Sequence, residues 1–353
     1  MIIKLKRKLL FVLFPAVLVS VFFVVAAFLQ VGAEKAESEK AYIKWAELNV
    51  SLKALEDTMA LDIDTYDKLY HISWIDSLSY LAVKNGNNWS GYKTRDLQKM
   101  KDSLGDSNTI DDLVGKNKYY SYYKETFTAA LGGLLGEFER EKPDGAGGKT
   151  TYSGYGLVAY SPIAEGFAYS HYADFGSARS YGYRRSHLGN DLLGNIGTPI
   201  VAVEGGTVEC IGWNQYGGWR LGIRSFDKKR SYYYAHLRKD RPYHADIKQG
   251  SLVKAGQVIG YMGMTGYSVN ENVNGMNIPH LHFGLQLIFD ESQKEGTNQI
   301  WLDVYNLVKL LSKNRATVIR DDKTGDYFRK FDIIDKRYPS ELLKFKSYQM
   351  LGG

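Results

Sequence analysis

The chain has 353 residues, of which 44% are hydrophobic and 24% charged, enough apolar material for two ordinary domains. The formal net charge of +6 includes Lys4, Lys6, Arg7 and Lys8. The remainder is nearly balanced, so no nucleic-acid partner is implied. The single cysteine, Cys210, excludes an intramolecular disulfide and a Cys-rich zinc site. It reads as a small buried hydrophobe in a strand, so any metal site must use His, Asp or Glu.

In chain order, the first feature is the uncharged run Leu9–Leu29. At about 1.5 Å per residue it spans roughly 30 Å, the thickness of a bilayer core. The basic cluster before it is expected to stay cytoplasmic, leaving the bulk of a single-pass membrane protein outside. A cleavable signal peptide ending near Val31-Gly32-Ala33 is the competing reading. The run exceeds the roughly 7–15 residues of a signal core, which favours a retained anchor. Residues 1–33 are therefore assigned to a basic stub and anchor. Residues 34–50, mixed in charge, read as a helical stalk.

Residues 34–140 as a whole are expected to form a small α-helical domain. Ile72, Ile75, Leu78, Leu81 and Ala82 recur at three- and four-residue steps, and "SGYKTRDLQKMKDSL" and "YSYYKETFTAALGGLLGEF" continue the pattern. The acidic "DIDTYD" at 62–67 lacks the glycine of a calcium loop and reads as a helix start. The "HISWIDSLSYLAVKNGNNW" stretch resembles the first helices of lysozyme-like domains. Lys84 and Asn85 stand where a catalytic Glu would be sought, so a module binding the wall or a protein partner is expected instead.

Pro and Gly cluster in 141–154, "EKPDGAGGKTTYSG", which reads as a linker. From 155 to 312 the texture is antiparallel β. Runs such as "PIVAVEGGTVECIGW", "RLGIRSF", "SYYYAHL" and "QVIGYMG" are β-branched or aromatic and punctuated by Gly. "WLDVYNLVKLLSK" closes this region as one amphipathic helix. Residues 313–353 are a charged C-terminal extension with no assigned structure.

Six of the seven histidines fall in the β region. In "PHLHFG", His280 and His282 are two apart, so a strand presents both on one face while Leu281 and Phe283 enter the core. In "HLGND", His187 and Asp191 lie in a loop entering a strand, an N/O donor set that suits zinc where cysteines are lacking. In "YYYAHL", His236 ends a strand and shares a face with Tyr234.

Together these stretches, with "GTPIVAVEGGTVECIGWNQYGGW" and "GSLVKAGQVIGYMGMTGYS", resemble the lysostaphin-type, LytM-like zinc endopeptidases of bacterial cell walls. The elements stand in that family's order over residues 183–289. The resemblance implies a mainly antiparallel β peptidase domain of duplicated-hybrid-motif type, behind the helical domain and a transmembrane helix. It implies one Zn2+ held by His187, Asp191 and His282, and an acid–base pair formed by His236 and His280. The substrate would be peptide stems or cross-bridges of peptidoglycan, cut outside the cytoplasmic membrane of a bacterium. A relative of the same fold that has become a non-hydrolytic scaffold or activator is the alternative; retention of all five polar positions favours the enzyme. Tyr181 or Tyr183 could donate to an oxyanion. Gly217, Gly218 and Gly266 read as tight loops beside the cleft. The eleven residues between Ser268 and His280 make a longer loop than the family's, which would alter substrate fit and not the metal. His71, His171 and His244 match no ligand position.

Overall fold

A computed structural model describes residues 42–104 and 109–344. The run Leu9–Leu29 lies outside these residues. Among the described residues, no helix is long and apolar enough to cross a membrane.

The helical part begins later than the pattern suggested. Residues 44–50 form no helix, contrary to the expected stalk; Ala46, Leu48 and Val50 are buried in alternation with exposed neighbours, the spacing of an extended segment. Helix α1 (Leu52–Thr65) starts where the Ser51 side chain accepts from the Ala54 N–H, and α2 (Trp74–Asn85) where Ser73 accepts from Asp76. Gly86, with φ of 60°, ends α2 in the left-handed region. Helices α3 (Thr94–Leu104), α4 (Ile110–Val114) and α5 (Lys118–Leu131) follow, and Leu55, Leu78, Leu81, Met100, Phe127 and Leu131 fill the space between them. The acidic stretch 62–67 lies at the end of α1, not at a helix start.

The expected linker is a β-hairpin. Strands β1 (Leu135–Pro143) and β2 (Lys149–Leu157) pair along their full length. The Pro, Asp and Gly cluster is the turn between them, where Asp144 accepts from the Ala146 and Gly148 amides. The third strand of this sheet comes from the unassigned extension: β17 (Ile333–Asp335) pairs with β1 on the side away from β2. The helices also lean directly on the β region. Arg230 donates to the Ala129 carbonyl at 2.6 Å, and Tyr155 to Asp62 at 2.9 Å.

Between the hairpin and β17 lie β3 (Ser170–His171), β4 (Ala178–Arg179), β5 (Arg185–Ser186), β6 (Asn190–Leu193), β7 (Pro199–Val201), β8 (Gly206–Asn214), β9 (Gly218–Ser225), β10 (Arg230–Ala235), β11 (Leu252–Val253), β12 (Val258–Tyr261), β13 (His280–Leu287), β14 (Ile300–Leu302), helix α6 (Tyr305–Leu311), β15 (Val318–Arg320) and β16 (Tyr327–Arg329); α7 (Ser340–Lys344) comes last. The main sheet runs β11-β8-β9-β10-β13-β6-β3, with β14 also on β13, and every ladder is antiparallel. This is the antiparallel β architecture read from the sequence.

β13 is the strand that positions the site. Leu281, Phe283, Leu285 and Leu287 point to one face and are fully buried, with Tyr232 and Tyr234 of β10 packed beside Phe283. Burying four such side chains stabilises the strand by several kcal/mol, at about 1.5–3 kcal/mol each. The opposite face, carrying His280 and His282, is thereby fixed in register with Asp191 on β6 and Ala235 on β10.

Candidate metal centre

Three of the predicted side chains meet at one point. The Nε2 atom of His187 lies 2.7 Å from Nδ1 of His282 and 3.0 Å from Oδ1 of Asp191, and His282 Nδ1 lies 3.4 Å from the same oxygen. All three donor atoms are within 4.8 Å of one another. Asp191 and His282 are cross-strand partners in the β6–β13 ladder. His187 reaches them from the turn before β6, and that turn needs Gly189: a Cβ there would come within 2.8 Å of the His282 ring and 2.6 Å of the Phe283 carbonyl.

The remote atoms of the cluster are held separately. His187 Nδ1 is held from two sides, 3.1 Å from the Asp174 carbonyl and 3.0 Å from Nη2 of Arg179, which leaves Nε2 turned toward the cluster. Arg179 donates to Oδ2 of Asp191 at 3.0 Å and to Asp174 at 2.9 Å, which turns Oδ1 of Asp191 inward. That Oδ1 is buried with no hydrogen bond of its own. Burial would raise the Asp191 carboxyl, but the adjacent His187 and His282 imidazoles outweigh it and hold the group well below the ordinary carboxylate range. Burial, followed by the charge of His187, keeps His282 below the usual imidazole value despite Asp191. Two imidazole nitrogens converging on a buried carboxylate oxygen that has no hydrogen bond fit a cation. With two imidazoles and one carboxylate, the donor set suits zinc with a fourth position open.

The other two predicted histidines stand beside this cluster. Nδ1 of His236 is 2.8 Å from the Thr265 carbonyl, and Nδ1 of His280 is 2.8 Å from the Ile278 carbonyl. Both rings therefore donate from Nδ1 to a backbone carbonyl, which leaves Nε2 as the nitrogen available to the groove. The rings are 4.7 Å apart, and Nε2 of His280 is 3.8 Å from Asp191. Burial, reinforced by His280 and His282, pushes His236 well below the ordinary imidazole range, so it is neutral near pH 7.

Residues 185–295 match the sequence model of peptidase family M23. The chain carries an M23 peptidase domain. The L-Ala–D-Glu endopeptidase of Bacillus subtilis is 34% identical over 170 residues, 47% of this chain and 47% of that protein. Lysostaphin of Staphylococcus simulans is 41% identical over 98 residues, 28% of this chain and 17% of that one. The chain thus spans about half or less of these curated relatives. A crystal structure from Ruminococcus gnavus, described as a putative glycyl-glycine endopeptidase lytM, shares the fold with a TM-score of 0.51; it is 20% identical and the match covers 78% of this chain and 92% of that one.

Several residues around the groove stand differently from what their sequence context suggests. His236 does not share a face with Tyr234: Tyr234 is fully buried and accepts from the Val203 N–H, whereas His236 turns into the groove. The cause is its φ of 60°, a left-handed step just after β10 that reverses the alternation. Cys210 is half-buried and lines the groove instead of the core, because β8 shifts register between Val208 and Cys210. Tyr181 stacks on Tyr267 at 4.6 Å and Tyr183 is exposed against Tyr216, so both form an aromatic rim. Gly218, at φ of 63°, lies so close to the Thr265 backbone that a Cβ would collide with it. The longer loop before His280 is pinned by Asn272, whose Oδ1 accepts from Trp219 Nε1 at 2.9 Å and the Asp240 N–H at 2.8 Å, and Met276 of that loop lines the groove.

The groove has a volume of about 620 Å³ and holds the five predicted residues on its floor and wall. Asp174 and Arg179 went unnoticed in the sequence. The signal was available in "YADFGSARSYGYRRSH", where an acid and a base precede His187, but no spacing rule ties them to it. His71, His171 and His244 lie outside the groove lining. His71 sits on Asp62 at 2.7 Å, and His171 packs on Tyr305 at 4.6 Å.

Proposed function

We propose that this protein is a zinc-dependent endopeptidase that hydrolyses peptide stems or cross-bridges of peptidoglycan. The observation that carries the reading is the buried, unsatisfied Asp191 Oδ1 facing ring nitrogens of His187 and His282, with two more histidines oriented beside it. His187 Nε2, Asp191 Oδ1 and His282 Nδ1 would hold zinc, which supplies Lewis acidity to a carbonyl and a water molecule.

The remaining steps belong to the chain's own groups. A peptide lying along the groove passes over His280 and His236. With Nδ1 tied to a backbone carbonyl, each ring can take or give a proton only at Nε2, the atom on the groove side. One imidazole removes the proton of the attacking water. The other, once protonated, stabilises the tetrahedral oxygen or protonates the leaving amine. The neutral state that burial imposes on His236 suits the base role. The relatives' names, an L-Ala–D-Glu endopeptidase and a lysostaphin, support a peptide of the cell wall as substrate.

The apolar run Leu9–Leu29 would anchor the chain in the cytoplasmic membrane and present the groove outside it. Digestion of defined muropeptides by the zinc-loaded 353-residue chain, read by mass spectrometry, tests catalysis and identifies the bond together. New amino termini that vanish with a chelator and return with zinc are expected. A protein that binds zinc and cuts no muropeptide would leave the scaffold reading in its place.

A further inference from the structure

The groove continues along the sheet beyond the histidines to Arg220 on β9. Ala235 of β10 pairs with His282, and β9 lies on the other side of β10. Arg220, next to the Leu221 that pairs with Tyr234, therefore stands two strands from His282, about 10 Å across the sheet. That is the reach of one or two peptide residues.

Four basic side chains line the groove, and three are occupied. Arg179 is held by Asp174 and Asp191, and Lys294 by Glu209 at 2.7 Å. Arg185 donates to the Tyr181 carbonyl and lies 4.8 Å over the Tyr216 ring. Arg220 differs. Among the described residues no carboxylate pairs with it; its guanidinium touches the thiol of Cys210, a weak acceptor, and its Nε is buried with no hydrogen-bond partner. Tyr233, whose ring is 5.8 Å from His282, lines the groove on the strand between them.

We propose that Arg220 determines specificity by binding a free carboxylate on a residue flanking the scissile bond. The substrate class is then an anionic peptide, not a neutral glycine bridge. This rests on the peptidase reading above and narrows it. A carboxylate can accept from Nε and one Nη together, the two-pronged geometry that guanidinium favours. A carboxamide in the same place has one acceptor oxygen and no charge, and it brings an N–H donor toward the guanidinium, so the site would disfavour it.

In a wall peptide the carboxylate has two sources, the α-carboxylate of a γ-linked glutamate or a C-terminal carboxylate. The test uses the 353-residue zinc-loaded chain and three peptides: L-Ala-γ-D-Glu-L-Lys-D-Ala, its glutamyl α-amide and its C-terminal amide. Rates are read as kcat/KM. Binding is read separately by competition against a fluorescent peptide on the His280→Ala background, which needs no turnover. One of the two amides should be worse than the parent by about 10-fold or more in the wild type. Arg220→Gln should bring that ratio close to one, and Arg220→Lys should keep part of it. A merely structural Arg220 would weaken all three peptides together and leave the ratio alone. Equal treatment of the three by the wild type, or a ratio unchanged in Arg220→Gln, overturns the proposal. If no peptide is cut, nor pentaglycine, the peptidase reading fails, and the binding ratio still judges Arg220.

Discussion

Asp62 and Asp191 are both largely enclosed carboxylates beside a histidine, and they do opposite things. Asp62 is saturated: its Oδ1 takes His71 Nε2 at 2.7 Å and the Tyr155 hydroxyl at 2.9 Å, and its Oδ2 takes the Trp74 N–H. It ties the end of α1 to the start of α2 and to β2. Asp191 has Arg179 on one oxygen and no hydrogen bond on the other, which faces two imidazole nitrogens. A buried polar group that is fully bonded stabilises a fold, whereas one left short of donors marks where a ligand is missing. Burial and neighbour type do not separate the two carboxylates; the count of donors does.

The sharpest way to break this comparison is at the cluster itself. His282→Ala should abolish zinc binding, measured by metal analysis after dialysis, and hydrolysis with it. Retained stoichiometric zinc would overturn the assignment of this cluster as the metal site. Next, His280→Ala should keep zinc and lose about 10²–10⁴-fold in kcat, the usual contribution of a general acid or base. Undiminished hydrolysis of peptidoglycan by that variant would sink the acid–base role.

Asp62→Ala addresses the other side. It strands the Tyr155 hydroxyl, the Trp74 amide and His71, so unfolding in urea should need about 2–4 kcal/mol less. Zinc content of the folded protein should not change, and a loss of zinc would erase the distinction drawn here. The last effect concerns His171, whose Nε2 is buried without a partner and whose pKa is pushed down to about 4 by burial and then by Lys309. The unfolded chain takes up this proton near pH 6.5 and the folded chain does not. Its contribution to stability is therefore complete above pH 6.5 and is lost as the pH falls towards 4, by at most about 3 kcal/mol. His171→Phe should flatten that part of the stability profile, measured by denaturation midpoints across pH.

The site was more legible than its surroundings. His280 and His282 could be placed on one face because a strand has a two-residue period and Leu281 and Phe283 fill the core behind them. The same rule failed for His236, since nothing in "YYYAHL" announces a left-handed residue after the strand. Within the hairpin at 135–157, residues 141–154 read as a linker because Asp, Pro and Gly serve turns and linkers alike, and the strand residues 149–153 are all exposed. Strands of two or three residues, such as β3, β4 and β17, carry no periodicity at all; their pairing partners, distant in the chain, make them strands. Arg220 shows the limit from the other direction: one residue in "GGWRLGIRSF" is distinguished only by the acceptor it lacks in the folded groove.

The pairing of β1 with β17 has a consequence for how the molecule is made. β1 precedes the M23 domain and β17 follows it, so one sheet encloses the sequence of the whole catalytic region. During synthesis the hairpin emerges with one edge bare and must keep it so until the last strand arrives, long after the histidine cluster has left the ribosome. A chain terminated before β17 would leave that edge of β1 exposed to pairing with other chains.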